Sequence, residues 1–158
     1  MEGWTLIATI REEGRTIRAI AFAPTPSTPI IASASFDGRV VIWEYYLDDN
    51  VCDASEDEPA NCFDAIAMLE GHESEVKGLA WNTTGSLLAS CGRDKTIWLW
   101  ECFLPGTIGG METNVNGDSG DRGDFECLAV LQGHEGDVKT VLFGPSHSLW
   151  GEGEVRQS

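Results

Sequence analysis

Apolar residues in this chain come in short alternating runs punctuated by turn formers. Between Leu69 and Glu101 three such runs follow one another, Val76 to Trp81, Leu87 to Cys91 and Thr96 to Trp100. A glycine-containing turn over Asn82 to Ser86 separates the first two, and a tight turn on Arg93 and Asp94 separates the last two. No stretch of useful length holds the helical period. Three short strands joined by turn residues predict an antiparallel meander, and so an all-β chain.

The pattern repeats. Arg18 to Pro24 (RAIAFAP) lines up with Lys77 to Thr83 (KGLAWNT) and with Lys139 to Pro145 (KTVLFGP). Ile31 to Asp37 matches Leu88 to Asp94, Val40 to Glu44 matches Ile97 to Glu101, and Asp64 to His72 matches Glu126 to His134. Trp43 and Trp100 stand 57 residues apart, and His72 and His134 stand 62 apart.

The Gly71-His72 start, the Asp94 turn and Trp100 at the end of the third strand resemble one WD repeat of a β-propeller. The terminal Trp-Asp of that family stands here as Trp100-Glu101. The resemblance implies a structural relay of His72, Ser90, Asp94 and Trp100. A buried carboxylate needs donors, and an imidazole, a hydroxyl and an indole N–H supply them. In the preceding repeat Ser33, Asp37 and Trp43 keep their places, but Glu12-Glu13-Gly14-Arg15 stands where Gly-His would be, so Asp37 needs another donor. The following repeat opens with Gly133-His134, and His134 is the relay candidate there.

A WD repeat is about 40–45 residues. The excess falls in two insertions, the acidic 47–62 and the glycine-rich 104–124, both expected as loops. The expected architecture is a partial WD40 propeller. It has two complete four-stranded antiparallel blades, 17–69 and 76–131, and the start of a third at 134–145. One outer strand over Trp4 to Ile10 precedes them and one inner strand follows. Alternate connections of a meander fall on opposite ends of the sheet. Glu73, Ser74, Glu75, Arg93 and Lys95 are therefore expected on one face and both insertions on the other. Propellers close with about four to eight blades. Two blades leave apolar end faces, so the chain reads as a truncated piece of a longer, seven-bladed protein whose open faces need a partner or a second copy.

Composition narrows the function. The chain has 158 residues, 42% hydrophobic and 23% charged, which suits a globular protein. No apolar run approaches the length of a bilayer span. Met1 to Arg18 lacks the pattern of a secretory signal. Ten Lys and Arg stand against 26 Asp and Glu, a net charge of −16. Such a surface repels nucleic acid and anionic membranes, so the expected partner is protein. The five cysteines, Cys52, Cys62, Cys91, Cys102 and Cys127, form no CxxC pair and predict a reduced, intracellular protein. Cys91 and Cys127 are expected to pack inside the sheets, and Cys52 and Cys62 to lie exposed in the acidic loop.

The segments RTIRAIAFAP, ASASFDG, LEGHESEVKGLAW, LLASCGRDKTIWLWE, DFECLAVL and GHEGDVKTVLF together resemble the cytosolic iron-sulfur protein assembly protein 1 family. That resemblance implies a non-enzymatic scaffold of the complex that targets iron–sulfur clusters to apoproteins. It implies a cytoplasmic location extending to the nucleus. The implied partners are a HEAT-repeat scaffold subunit, a small cysteine-bearing adaptor subunit and iron–sulfur apoprotein clients. No cofactor is expected, because a cluster needs four thiolates in a recognisable spacing and these cysteines are scattered. In the family the arginine at the position of Arg93 is an exposed residue tied to function. Arg93 is accordingly the leading partner-binding candidate, with Lys95, Glu75 and Lys77 as neighbours. The plain alternative is that Arg93 caps a turn or pairs with Glu75. The alternatives are a scaffold of another WD system, in chromatin or ubiquitin-ligase substrate recognition, and an inactive truncated product.

Other signals carry little. Arg122-Gly123-Asp124 is a common tripeptide, and Asn82-Thr83-Thr84 is a sequon best read as a hairpin turn. Asp118, Asp121 and Asp124 do not match a calcium loop, so no metal site is expected. His147 lacks a Cys or His nearby, and no phosphate loop or nucleophile elbow is present.

Overall fold

A computed structural model describes residues 8–10, 16–25, 28–46, 62–104 and 123–144. Within them the chain folds as two four-stranded antiparallel meanders. The first sheet orders β1 (Ile17–Phe22), β2 (Ile30–Ser35), β3 (Val40–Tyr45) and β4 (Phe63–Leu69). The second repeats it with β5 (Val76–Trp81), β6 (Leu87–Gly92), β7 (Ile97–Phe103) and β8 (Asp124–Leu131). The register is repeated in detail. Ser33 faces Val41 as Ser90 faces Trp98. Both sheets carry an irregularity immediately before the tryptophan, at Ile42/Trp43 and at Leu99/Trp100. A bulge re-aims the residue beside it, and here it sets each tryptophan at the same place in its blade.

The blades stack face to face. Small and β-branched residues of the first sheet, Ala32, Ala34, Val40 and Ile42, receive Val76, Leu88, Trp100 and Cys102 of the second. The Trp81 indole N–H donates to the Ala21 carbonyl across the junction, at 3.2 Å. Gly38, with φ +88°, lets the β2–β3 turn meet the next blade, since a Cβ there would lie 2.6 Å from the His72 carbonyl oxygen.

Equivalent positions differ in exposure according to whether the other described blade packs on them. Val76 is fully buried under blade one, whereas its counterpart Ile17 is 40% exposed. Leu69 is 6% exposed under blade two, whereas its counterpart Leu131 is 48% exposed. The outer face of blade one thus opens as an apolar cavity of about 680 Å³ lined by Ile20, Phe22, Trp43 and Phe63 among others.

Several expectations are corrected. The expected inner strand after Lys139 is absent, since residues 132–144 contain no strand. A strand needs a paired neighbour, and no described strand flanks this segment to bond to it. Of the expected Trp4 to Ile10 strand, only Ala8 to Ile10 are described. They form no strand, and Ala8 and Ile10 pack on Ile31, Val41, Trp43 and Phe63. Cys62 is buried rather than exposed, because its carbonyl accepts from the Tyr46 N–H at 2.9 Å and draws it against the sheet. Cys127 is exposed rather than packed, because β8 is the edge of its sheet and no described strand pairs with its outer side. Cys52, most of both insertions, Asp118, Asp121, Arg122 and His147 lie outside the described residues.

Candidate functional site

The turn between β6 and β7 and the loop before β5 meet at one end of the second blade. The loop begins with Gly71, where a Cβ would sit 2.5 Å from the Trp98 ring, so only glycine lets His72 turn inward. His72 is buried, and its ring bridges two elements. The Trp100 indole N–H donates to Ser90 Oγ at 3.0 Å. The Ser90 hydroxyl donates to His72 Nε2 at 2.9 Å, and His72 Nδ1–H donates to Asp94 Oδ2 at 2.7 Å. The tautomer follows from the network, because the indole can only donate and the carboxylate can only accept.

Asp94 has further donors. The Glu73 N–H reaches Oδ2 at 3.1 Å, and the Thr96 N–H and hydroxyl reach Oδ1 at 3.1 and 2.8 Å. Burial works against its charge, yet the bonds from Thr96 and His72 prevail and hold its carboxyl below the ordinary value. Burial also pushes the His72 imidazole below its ordinary value, against the pull of Asp94. The relay therefore holds a neutral imidazole at neutral pH. It contains a serine, a histidine and an aspartate in sequence, the order of a nucleophilic triad. Its Ser90 Oγ, however, is 0% exposed and capped by an indole, so no substrate carbonyl reaches it.

In the first blade the Trp43 indole N–H donates to Ser33 Oγ at 2.8 Å, the same strut without a histidine. Asp37 takes the Ser35 hydroxyl and the Arg39 N–H instead. Arg39 also bridges to Glu70 at 2.8 Å. His134 does not enter a relay. It is exposed, and its ring makes no hydrogen bond among the described residues.

The partner-binding candidates surround the relay's turn. The Arg93 N–H donates to the Glu75 carbonyl at 2.9 Å, which fixes the backbone. Its guanidinium reaches the Glu75 carboxylate only loosely, at 3.3 and 3.4 Å, with the Arg93 side chain 61% exposed. Lys77 pairs with Asp137. Lys95 is exposed and takes φ +67°, where the sister repeat has Gly38. A bulky residue in this region is strained, and such positions concentrate at functional sites. Lys95 also borders a cavity of about 410 Å³ with Trp98, Glu73 and His134. Thr96, Trp98 and Asp137 were not anticipated. Thr96, two residues after Asp94, was findable as the closing residue of an Asx turn.

Among the described residues no group of three or more His, Cys, Asp or Glu is placed to hold a metal. Burial pushes the Cys91 thiol up, and it pushes the Cys102 thiol up to about 12, so both stay protonated packing groups.

Comparison with known proteins places these features. The profile of the WD domain, G-beta repeat family (WD40) matches residues 4–44 and 63–101. A probable cytosolic iron-sulfur protein assembly protein 1 from Scheffersomyces stipitis is 36% identical, over 84% of this chain and 47% of its own. The one from Kluyveromyces lactis is 38% identical, over 85% of this chain and 46% of its own. The chain therefore spans about half the length of these relatives. The solved WD40 propeller of Doa1 superposes with a TM-score of 0.54 at 20% identity, covering 91% of this chain and 37% of that one, which supports the fold alone.

Proposed function

The chain belongs to the WD domain, G-beta repeat family, and from that premise we propose that it acts as a non-enzymatic docking scaffold in cytosolic iron–sulfur protein assembly. The similarity to the assembly proteins of S. stipitis and K. lactis supports the system. The observation that carries the site is Arg93, whose backbone is pinned while its guanidinium stays exposed. A planar fork held this way can grip a carboxylate on a partner or stack on an aromatic ring. Lys95 beside it, held in a conformation its counterpart satisfies with glycine, supports the same face. Glu75 orients Arg93, and Lys77 extends the charge. The blade relays stay structural.

The partners in this reading are a HEAT-repeat scaffold subunit, a small cysteine-bearing adaptor and iron–sulfur apoproteins, met in the cytoplasm and extending to the nucleus. The chain itself holds no cluster. The test is affinity capture from cytosol with the tagged chain and its Arg93→Glu variant, with the captured proteins identified. Recovery of the HEAT-repeat subunit by the parent chain and its loss with Arg93→Glu supports the reading. Recovery of histone tails or cullin adaptors in its place contradicts it.

A further inference from the structure

The segment after β8 repeats the one before β5. Glu135-Gly136-Asp137-Val138-Lys139 parallels Glu73-Ser74-Glu75-Val76-Lys77. It joins no strand, yet it is seated. The Val138 N–H donates to the Gly92 carbonyl at 3.0 Å, next to Arg93. Gly78 leaves it room, since a Cβ there would lie 3.2 Å from the Thr140 Cα. This seating brings Asp137 onto the Lys77 ammonium. The hydrogen bond from Lys77, with the charges of Lys77, Arg93 and Lys139 around it, holds the Asp137 carboxyl below its ordinary value. Arg93 thus has Glu75 on one side and Asp137 close by from the next repeat. In a chain of net charge −16, Lys77 pairs with this exposed carboxylate, Lys139 stands two residues along, and Arg93 adjoins the Gly92 carbonyl that seats the segment.

We propose that Lys77, Arg93 and Lys139 form a carboxylate-binding notch, and that Asp137 is its built-in occupant, displaced when an acidic segment of a partner protein docks. This rests on the docking reading of the Arg93 turn and adds its regulation and ligand chemistry. The occupant is one carboxylate, so the site is matched to Asp or Glu side chains. An exposed ion pair contributes little, so Asp137 yields readily to a competing carboxylate. The segment carrying it is lightly held, with Leu142 83% exposed.

The test is fluorescence anisotropy with a fluorescein-labelled oligoglutamate peptide on the full chain. Asp137→Asn should bind about two- to fivefold more tightly than the parent, the range of one exposed ion pair. Lys77→Glu and Arg93→Glu should lose the peptide, and salt should weaken binding. Thermal melts of the variants should match the parent, since the charged groups changed all reach the surface. Unchanged affinity in Asp137→Asn overturns the role of Asp137, while the docking reading stands if Arg93→Glu still loses the HEAT-repeat subunit. Tighter binding by Asp137→Asn without capture of that subunit supports the notch and contradicts the assembly reading. Peptide binding indifferent to Lys77→Glu and Arg93→Glu, or absent from every variant, overturns the notch.

Discussion

The two blades share a sequence pattern, a register and a tryptophan–serine strut, yet they treat the aspartate of the turn differently: Asp94 is largely buried and Asp37 is exposed. Blade two runs Trp100, Ser90, His72 and Asp94 in one directional chain. Blade one keeps Trp43 and Ser33 and satisfies Asp37 from Ser35 and Arg39. The strut depends only on strand register and the bulge before each tryptophan, so it survives loss of the histidine. In blade two the histidine adds a side-chain tie between turn and loop to the backbone bond that both blades make there, Phe36 N–H to the Thr16 carbonyl and Arg93 N–H to the Glu75 carbonyl. In blade two the relay thus joins the Gly-His loop to the Asp turn through side chains, and that turn presents Arg93.

The largest expected effect separates the two tryptophans. Trp100→Ala should cost about 3–5 kcal/mol, and Trp43→Ala less, because the face around Trp43 is already open. Urea titrations of both variants measure the difference, and equal losses would break the comparison. Next, Asp94→Asn should cost about 1.5–3 kcal/mol and Asp37→Asn about 0.5–1.5, because Asp94 is the more buried of the two. Then the paired turn positions should respond oppositely. Gly38→Ala should destabilise by about 1–3 kcal/mol, since it adds a Cβ at positive φ against the His72 carbonyl. Lys95→Gly should be neutral or stabilising by up to about 1 kcal/mol. Gly136→Ala, with nothing within 4 Å of its Cβ, should stay within about 0.5 kcal/mol.

The pH response is the finest probe. A folded pKa below the ordinary value of 6.5 for His72 means that the unfolded chain binds the proton first. Stability then falls as pH drops below about 6.5. Asp94 adds a second loss as pH falls below its ordinary 3.8. His72→Gln should remove the upper limb and keep the lower. An unaltered upper limb in that variant would assign it elsewhere.

Period-two apolar runs and glycine-bearing turns made all eight strands legible, because each is a local preference. The relay was legible for a similar reason, since Gly71-His72, Ser90, Asp94 and Trp100 stand at set distances along one repeat. What escaped was burial that depends on a covering neighbour. Cys127 reads like any strand cysteine, and its exposure follows from β8 being an edge. Cys62 reads as loop, and its burial follows from one backbone bond to Tyr46. His134 carries the right motif but has no described Ser or Asp within reach. Asp137 was findable in principle, since Glu135 to Lys139 echoes Glu73 to Lys77, but its placement on Lys77 is a tertiary fact.

The measurement that bears most directly on the docking account is the affinity of the purified HEAT-repeat subunit for the chain with arginine and with glutamate at residue 93. The account predicts that the parent chain binds and that Arg93→Glu loses at least about tenfold, roughly 1.4 kcal/mol, with an unchanged thermal melt. Equal affinity of the two chains, or a loss explained by a lowered melt, would contradict it.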